Sequence, residues 1–374
     1  MNQASVNSAQ TSETTPTVLW WSRSGRDYSR DRVLRQAFRK LGWAIDDYAP
    51  LLSSTADIEA SLRGVKIPQL VWVPCFRQRD AAAAGRWARK HNVPVVLDPL
   101  ISAWDKQVFE RHKLPENSVQ AQRLLRWESR LFNNSDMVIA DTNCHAEFFR
   151  TAHHVDASKL AVIPVGAEEE LFVRQPQPAA SSMLRVLFYG SFIGLQGPQF
   201  IAQAAKHVPE VSWTFIGSGP LLDQCRDIVH NADHVEFIPR VPYAELASRI
   251  GAADVLLGVF GTSRKAGRVI PNKVYQAIAC GRPVITRVSD AYPQSLRTPS
   301  AADSGITWVS AGSSPAIVAA VRSIAKARQA LPAMGESASA TYDKYFSNQV
   351  VRECLSAVLQ QILPAQAIIP QRAA

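Results

Sequence analysis

The stretch from Gly267 to Thr286, GRVIPNKVYQAIACGRPVIT, predicts a helix that opens on a proline and leads into a buried strand. Pro271 suits a first helical turn, where its missing N–H costs nothing, and Gly281 suits the left-handed position after the last turn. Lys273 then lies beside unpaired backbone N–H groups and the positive end of the helix dipole, which favours an anion such as a diphosphate. The alternative is an ordinary helix of an α/β fold with a solvated lysine.

The segment just before this helix is basic and flanked by glycines. Arg264 and Lys265 in it can supply positive charge to a leaving diphosphate as its bond breaks, whereas the alternative is a solvated basic loop. We therefore assign a catalytic role to Arg264, Lys265 and Lys273. The helix adds three candidate nucleotide ligands, Asn272, Val274 and Gln276.

Two glycine-containing turns precede helices elsewhere in the second half of the chain. One contains Gly190 and Ser191, and the next contains Gly217 and Gly219. Such turns can wrap a pyrophosphate through their backbone N–H groups, so all four residues are candidate ligands. The alternative is that each turn merely needs glycine.

Polar residues also follow the predicted strands of the first half. Gly25 permits close approach of the backbone, and Arg26 can clamp an anion. Asp98 ends a strand, where a carboxylate that faces the cleft would orient sugar or acceptor hydroxyls. Asp141 or His145 repeats that arrangement after the following strand, although helix capping explains such residues equally simply.

Strand and helix patterns alternate twice along the chain, over 17–166 and again over 184–340, with a proline-bearing linker at 167–183. We predict an α/β fold with two Rossmann-like parallel-sheet domains that face a central cleft. Ligands of such sheets bind at the carboxyl ends of the strands. The first domain is a candidate acceptor domain and the second a candidate nucleotide domain.

Helical periodicity predicts one helix near 103–132, another near 314–331, and a last helix over 341–363 that crosses back onto the first domain. Residues 1–16 and 364–374 have no apolar periodicity, so we expect them to be disordered. We find no secretion signal and no apolar run of the roughly 20 residues that a membrane span needs.

The composition is that of a globular protein, with 47% apolar and 20% charged residues among 374. A net charge of +9 calls for an anionic partner, and five widely spaced cysteines favour a reducing cytosol over a disulfide frame. We expect no bound metal, because His230 and His234 span a predicted helix end, and the adjacent His153 and His154 point in different directions. No Gly-x-Ser-x-Gly elbow and no Gly-x-x-x-x-Gly-Lys-Ser/Thr loop is present, which argues against a serine hydrolase and a P-loop NTPase.

Together, the stretch that starts at Gly267, the two glycine turns and Val162–Gly166 resemble the GT-B glycosyltransferases of family 4. That resemblance implies retaining, metal-independent transfer of a sugar from a UDP- or GDP-sugar donor to an acceptor held by the first half, with no other cofactor. It departs at the family's Glu-x7-Glu pair, which maps onto Arg268 and Gln276. Gln196 stands nearest to a lysine that is common in the family.

The leading hypothesis is a cytosolic enzyme that builds a bacterial surface polysaccharide or glycolipid. Basic and aromatic residues of the first half could dock it on anionic lipid at the inner face of the plasma membrane, although solvated helix faces also explain them. These residues are Arg32, Arg35, Arg39, Lys40, Arg86, Trp87, Arg89, Lys90, Arg123, Arg126 and Arg130.

Two alternatives share the same fold. One is a sugar-nucleotide epimerase, which would need the carboxylates Asp98, Asp105 and Asp141. The other is a non-catalytic partner protein. Dispersed basic residues argue against nucleic-acid binding.

Overall fold

A computed structural model of the protein describes residues 15–24, 28–179, 181–230, 232–297 and 304–364. The predicted site residues Gly25 and Arg26, and most of the predicted terminal segments, lie outside the described residues.

Within the described residues, the strands form two six-stranded sheets in which every neighbouring pair is parallel. The strands of the first sheet are β1 (Thr17–Trp21), β2 (Ala44–Tyr48), β3 (Leu70–Val73), β4 (Val95–Leu97), β5 (Met137–Ala140) and β6 (Leu160–Val162), in the order β2-β1-β3-β4-β5-β6. Those of the second are β7 (Leu184–Ser191), β8 (Val211–Ser218), β9 (Val235–Ile238), β10 (Val255–Leu257), β11 (Val284–Arg287) and β12 (Ile306–Val309), in the order β12-β11-β10-β7-β8-β9. The predicted α/β architecture of two parallel sheets is confirmed.

Helices connect the strands and cover the sheets. The longer ones are α1 (Ser29–Lys40), α2 (Ala56–Leu62), α3 (Gln78–Lys90), α4 (Val119–Asn133), α5 (Asn143–Ala152), α6 (Pro198–Lys206), α7 (Leu222–Val229), α8 (Leu246–Ala252), α9 (Asn272–Ala279), α10 (Ser314–Lys326), α11 (Leu331–Tyr345) and α12 (Asn348–Ile362). Shorter turns are the α-helical Ala103–Asp105 and Gln294–Arg297, the π-helix Lys106–Glu110, and the 3-10 turns Ala157–Lys159, Tyr243–Glu245, Lys265–Gly267 and Arg328–Ala330.

The single helix predicted near 103–132 is wrong. Helical structure ends at Glu110 and resumes only at Val119. Pro115 interrupts the run, because a proline in a helix interior removes a hydrogen bond and clashes with the preceding turn. Ser118 then caps α4 through its side chain, which accepts a hydrogen bond from the Ala121 N–H.

The end of the chain contains two helices where one was predicted over 341–363. α11 begins at Leu331, directly after the 3-10 turn that ends α10, and stops at Tyr345. Ser347 starts α12 afresh, because its hydroxyl accepts from the Val350 N–H. α12 packs Val351 and Leu355 into the same apolar cluster as Trp20 of β1. The chain therefore crosses back onto the first sheet after completing the second.

Candidate active site

A cavity of about 460 Å³ lies between the two halves, where the carboxyl ends of both sheets meet. The first half contributes Tyr28, Phe76, Leu100 and Asp141 to its walls, among others. The second half contributes residues of β7 and α9. The location agrees with the general rule that open parallel sheets bind ligands outside the carboxyl ends of their strands.

Lys273 lines this cavity from the first turn of α9, which begins after the extended residue Pro271. Its side chain is only 5% exposed, and its ammonium has no hydrogen-bond partner among the described residues. The Nζ atom lies 3.8 Å from the centroid of the Phe188 ring. It also lies so close to Gly190 that a Cβ there would be 3.1 Å away. Burial lowers the pKa of Lys273 well below its ordinary value. The result is a desolvated cation at the positive end of a helix, a setting that an anion would stabilise.

The amide of Gln276 is held by two tyrosines at the cavity wall. Its Oε1 accepts a hydrogen bond from the Tyr189 hydroxyl at 2.6 Å, and its Nε2 donates to the Tyr243 hydroxyl at 2.8 Å. Tyr243 in turn donates to the Glu168 carboxylate at 2.7 Å. Gln276 therefore lines the cavity with its own amide already satisfied, and Tyr189 and Tyr243 present the polar atoms beside it.

Two of the basic residues before α9 form ion pairs with the first half. The Lys265 ammonium pairs with Glu110, and the Arg268 guanidinium pairs with Asp105. Arg268 also lies 4.0 Å above the Phe148 ring. Lys265 is thus tied to a carboxylate rather than free to meet a diphosphate. These contacts join the 3-10 turn Lys265–Gly267 to the opposite wall of the cleft.

Arg264 is exposed and does not line the 460 Å³ cavity. It borders a wider cavity of about 980 Å³ at the mouth of the cleft, together with Arg111 and Lys113. Of the three predicted catalytic cations, the structure therefore brings Lys265 and Lys273 together and places Arg264 further out.

We expect Glu110→Gln to strengthen binding of UDP, because it frees the Lys265 ammonium. Both side chains of this pair are nearly buried, so a charge-assisted contact from the freed ammonium should add about 1.5 kcal/mol, roughly tenfold in Kd. Titration calorimetry with UDP measures the change, and Glu116→Gln, which removes an exposed carboxylate nearby, is the matched control. Unchanged or weaker binding in Glu110→Gln would show that the pair does not compete with the nucleotide.

Both glycine turns contribute to cavity walls, but not with every predicted residue. Gly190 and Ser191 border the main cavity, and with Gly217 they also line an adjoining cavity of about 260 Å³. Gly217 has φ +136°, and a Cβ there would be 2.0 Å from the Gly190 carbonyl oxygen, so only glycine fits. Gly219 lies against the backbone of Phe192 and borders neither cavity.

Two other predicted site residues do not reach the cavity. Val274 is fully buried in the apolar core beneath α9, whereas its neighbour Asn272 does line the cavity and donates to the Tyr28 hydroxyl at 3.3 Å. Asp98 is also fully buried. Its carboxylate pairs with Arg30 of α1, at an Nε–Oδ2 distance of 2.6 Å. The prediction that Asp98 faces the cleft is wrong. Its carboxylate neutralises a buried arginine.

Of the described aspartates in the first half, Asp141 lines the cavity, and its Oδ1 lies 2.7 Å from Nδ1 of His145. Thr142 caps α5, because its hydroxyl accepts a hydrogen bond from the His145 N–H. The same hydroxyl donates to the Arg268 carbonyl at 2.6 Å and so joins the two halves.

The sequence reasoning missed Tyr243, Glu110 and Lys106 as cavity residues. Pro115 did signal that a helix over 103–132 could not be continuous, but nothing local to Lys106 or Glu110 placed them at the cleft. No signal in the sequence singled out Tyr243.

Within the ranges that the structure describes, no three His, Cys, Asp or Glu side chains cluster in a way that could hold a metal ion. In the same ranges, none of the helices has the length and apolarity that a membrane crossing requires.

Comparison with known protein families places two domain models on the chain. The glycosyl transferase 4-like domain matches residues 17–166, and the glycosyl transferases group 1 domain matches residues 184–327. Together the two matches span both sheets.

Among curated proteins, a D-inositol 3-phosphate glycosyltransferase of Mycobacterium sp. (strain JLS) is 28% identical over 185 residues, or 46% of this chain. The counterpart of Mycolicibacterium smegmatis is 27% identical over 231 residues, or 56% of the chain. The chain spans only 41% and 49% of the lengths of these two relatives.

Among solved structures, Anabaena HepE in complex with UDP and glucose superposes with a TM-score of 0.71 at 13% identity, and covers 93% of this chain and 100% of HepE. Sucrose-phosphate synthase from Thermosynechococcus elongatus superposes with a TM-score of 0.72 at 16% identity, over 93% of this chain and 99% of the synthase. At such identities the likeness concerns the fold, in which two parallel-sheet domains face one cleft.

Proposed function

The chain belongs to the GT-B glycosyltransferases that join a glycosyl transferase 4-like domain to a group 1 domain, and from this membership we propose that it transfers a sugar from a nucleoside diphosphate sugar to an acceptor hydroxyl. The observation that carries the proposal is Lys273, a buried ammonium with no partner in the described structure, which lines the cavity between the halves. A diphosphate would supply the missing negative charge. Anabaena HepE, which has the same fold, binds UDP.

In the proposed reaction the acceptor hydroxyl oxygen bonds to the anomeric carbon of the donor sugar. The bond from that carbon to the diphosphate oxygen breaks, and the hydroxyl proton leaves with the nucleoside diphosphate. We propose that the configuration at the anomeric carbon is retained, as the resemblance to family 4 implies. The coupling constant of the anomeric proton in the NMR spectrum of the product tests this.

We further propose that cationic side chains, without a metal ion, neutralise the leaving diphosphate. Lys273 is placed to do so directly, and Lys265 can join it once its pair with Glu110 opens. Preorganised charge at the developing anion is worth several kcal/mol in a water-poor site. Turnover that is unchanged after treatment with a chelator is the expected result.

Thermal-shift measurements with UDP and GDP test the donor site. A nucleotide at 100 times its Kd stabilises the folded form by about 2.7 kcal/mol, which raises the melting temperature by several degrees. We expect one nucleotide to give this shift and its sugar conjugates to be hydrolysed slowly. A shift without any hydrolysis or transfer would support the non-catalytic alternative, and no shift with either would contradict the proposal.

The epimerase alternative finds little support in the site. Of the three carboxylates that it would need, Asp98 and Asp105 are fully buried and paired with Arg30 and Arg268. Only Asp141 of the three lines the cavity.

We propose that the enzyme works in the cytosol on a bacterial surface polysaccharide or glycolipid, at the inner face of the membrane. The docking surface is smaller than the sequence implied, because Trp87 is buried and Arg35 and Arg86 pair with Asp47 and Asp57. Arg39 and Lys40 at the end of α1 stay exposed. Cosedimentation with vesicles rich in anionic lipid, against neutral vesicles, tests this contact.

A further inference from the structure

A second cavity, of about 830 Å³, opens in the first half beside the cleft. It lies between the start of α3, the π-helix Lys106–Glu110 and α4. Phe76, Ile101 and Lys106 line both this cavity and the 460 Å³ cavity of the cleft. A molecule seated here would therefore reach the place where the sugar is transferred.

The walls of this second cavity are strongly basic. Arg23, Arg77, Arg79 and Lys106 all line it, and Asp80 is the one carboxylate among its described lining residues. One oxygen of the Asp80 carboxylate, Oδ2, already accepts a hydrogen bond from the Arg23 backbone N–H at 3.1 Å. In the described parts of the chain, none of the four cations forms a salt bridge with a carboxylate.

Two of these cations are partly desolvated as well as unpaired. The Nε atom of Arg77 is buried and has no hydrogen-bond partner among the described residues. The Lys106 ammonium lies 5.9 Å from the centroid of the Phe76 ring. Its pKa is lowered, first by burial and then by the nearby charge of Arg111. Both groups would gain from an anion that reached them, because buried unpaired cations are costly.

The apolar part of the cavity is aromatic. Phe76 is 37% exposed and Trp127 faces the cavity from α4. Phe76 has φ 63°, in the left-handed region that bulky residues rarely adopt. Such a conformation persists only where the surrounding structure enforces it. An aromatic surface next to two cations without salt bridges suits a ligand with an apolar face and a charged group, as a phosphorylated sugar or a lipid phosphate has.

We propose that this cavity holds the acceptor and that the acceptor carries a phosphate group, bound by Arg77 and Lys106. The proposal rests on the glycosyl transfer proposed above, and it adds the chemical class of the acceptor. A guanidinium and an ammonium together can hold a phosphate in a fixed position. The adjoining Phe76 would then direct a hydroxyl of the same molecule toward the cleft.

The first experiment titrates inorganic phosphate into the full chain saturated with whichever nucleoside diphosphate shifts its melting temperature, so that the donor site is filled. We expect phosphate to bind, and Arg77→Gln/Lys106→Gln to weaken that binding at least about tenfold. Arg77→Lys/Lys106→Arg should keep it. Lys90→Gln/Arg130→Gln, which removes two exposed charges outside the cavity, is the matched control.

The outcomes separate the two proposals. A normal nucleotide shift with phosphate binding that is absent, or unchanged in Arg77→Gln/Lys106→Gln, would overturn the acceptor proposal alone. If no nucleoside diphosphate shifted the melting temperature of the wild-type chain, that result would instead count against the donor site. Melting curves of each variant without ligand show that the fold is intact.

A second experiment identifies the source of the phosphate. Glucose 6-phosphate is compared with glucose, and phosphatidylcholine vesicles that contain phosphatidic acid are compared with vesicles that contain diacylglycerol. Preference for the phosphorylated member of either pair, lost in Arg77→Gln/Lys106→Gln, supports the proposal and assigns a soluble or a lipid acceptor. Equal binding of both members in both pairs would overturn it.

Discussion

Lys273→Met should lower kcat/KM for the nucleotide-sugar donor by about two to three orders of magnitude. That is the scale measured when one preorganised group is removed from a developing anion. Methionine keeps most of the side-chain volume next to Phe188 and Gly190, so the packing of β7 against α9 should survive. Steady-state kinetics with saturating acceptor measures the loss, and Lys206→Met, at the exposed end of α6, is the control.

The same substitution should not destabilise the folded chain, because it removes a buried charge that no described group compensates. Burial lowers the pKa of Lys273 in the folded state, so between that pKa and the ordinary value of 10.5 the unfolded chain binds more protons. Stability of the wild type therefore rises with pH through this window. Lys273→Met lacks that rise, and its advantage in urea unfolding should shrink as the pH increases.

A stability difference that does not change with pH would contradict a depressed lysine pKa. Unaltered kcat/KM with a normal melting temperature would remove Lys273 from the diphosphate site. The two measurements are independent, since the first reports on the free chain and the second on the complex.

The strands were predictable because buried parallel strands are short apolar runs between breakers. Such runs are strands in the structure, as Val235–Ile238 is. Helix continuity was less predictable. Over 103–132 the apolar period persists through Pro115, and the period was followed instead of the proline. The prediction therefore missed that Lys106–Glu110 is a separate π-helix at the wall of the cleft.

The site itself was predictable only where one segment builds it. Lys273 follows from local rules, because Pro271 sets where α9 begins. Ion pairs between distant segments leave no such trace. Lys265 and Glu110 are 155 positions apart, and the sequence around neither residue predicts that the two will pair. Asp98 shows the same limit, because a carboxylate at the end of a strand points equally well to a ligand or to a buried arginine.

Arg30→Met should cost about 3–5 kcal/mol of unfolding free energy, because it leaves the Asp98 carboxylate buried without its partner. Both side chains are fully buried, and the Arg30 Nη1 also donates to the Ile163 carbonyl at 2.9 Å. Asp31 is close by, and burial together with the charge of Asp98 raises its pKa to about 7. The cluster therefore depends on the one guanidinium to balance its carboxylates.

A double-mutant cycle separates the worth of the pair from the cost of the orphaned charge. Arg30→Met/Asp98→Leu should lose clearly less than the sum of the two single substitutions, because it removes both charges together. Arg86→Met, which breaks the part-exposed pair with Asp57, is the control and should cost at most about 1 kcal/mol. If Arg30→Met were no worse than Arg86→Met in urea unfolding, the carboxylate of Asp98 would have to be protonated or hydrated in the folded chain.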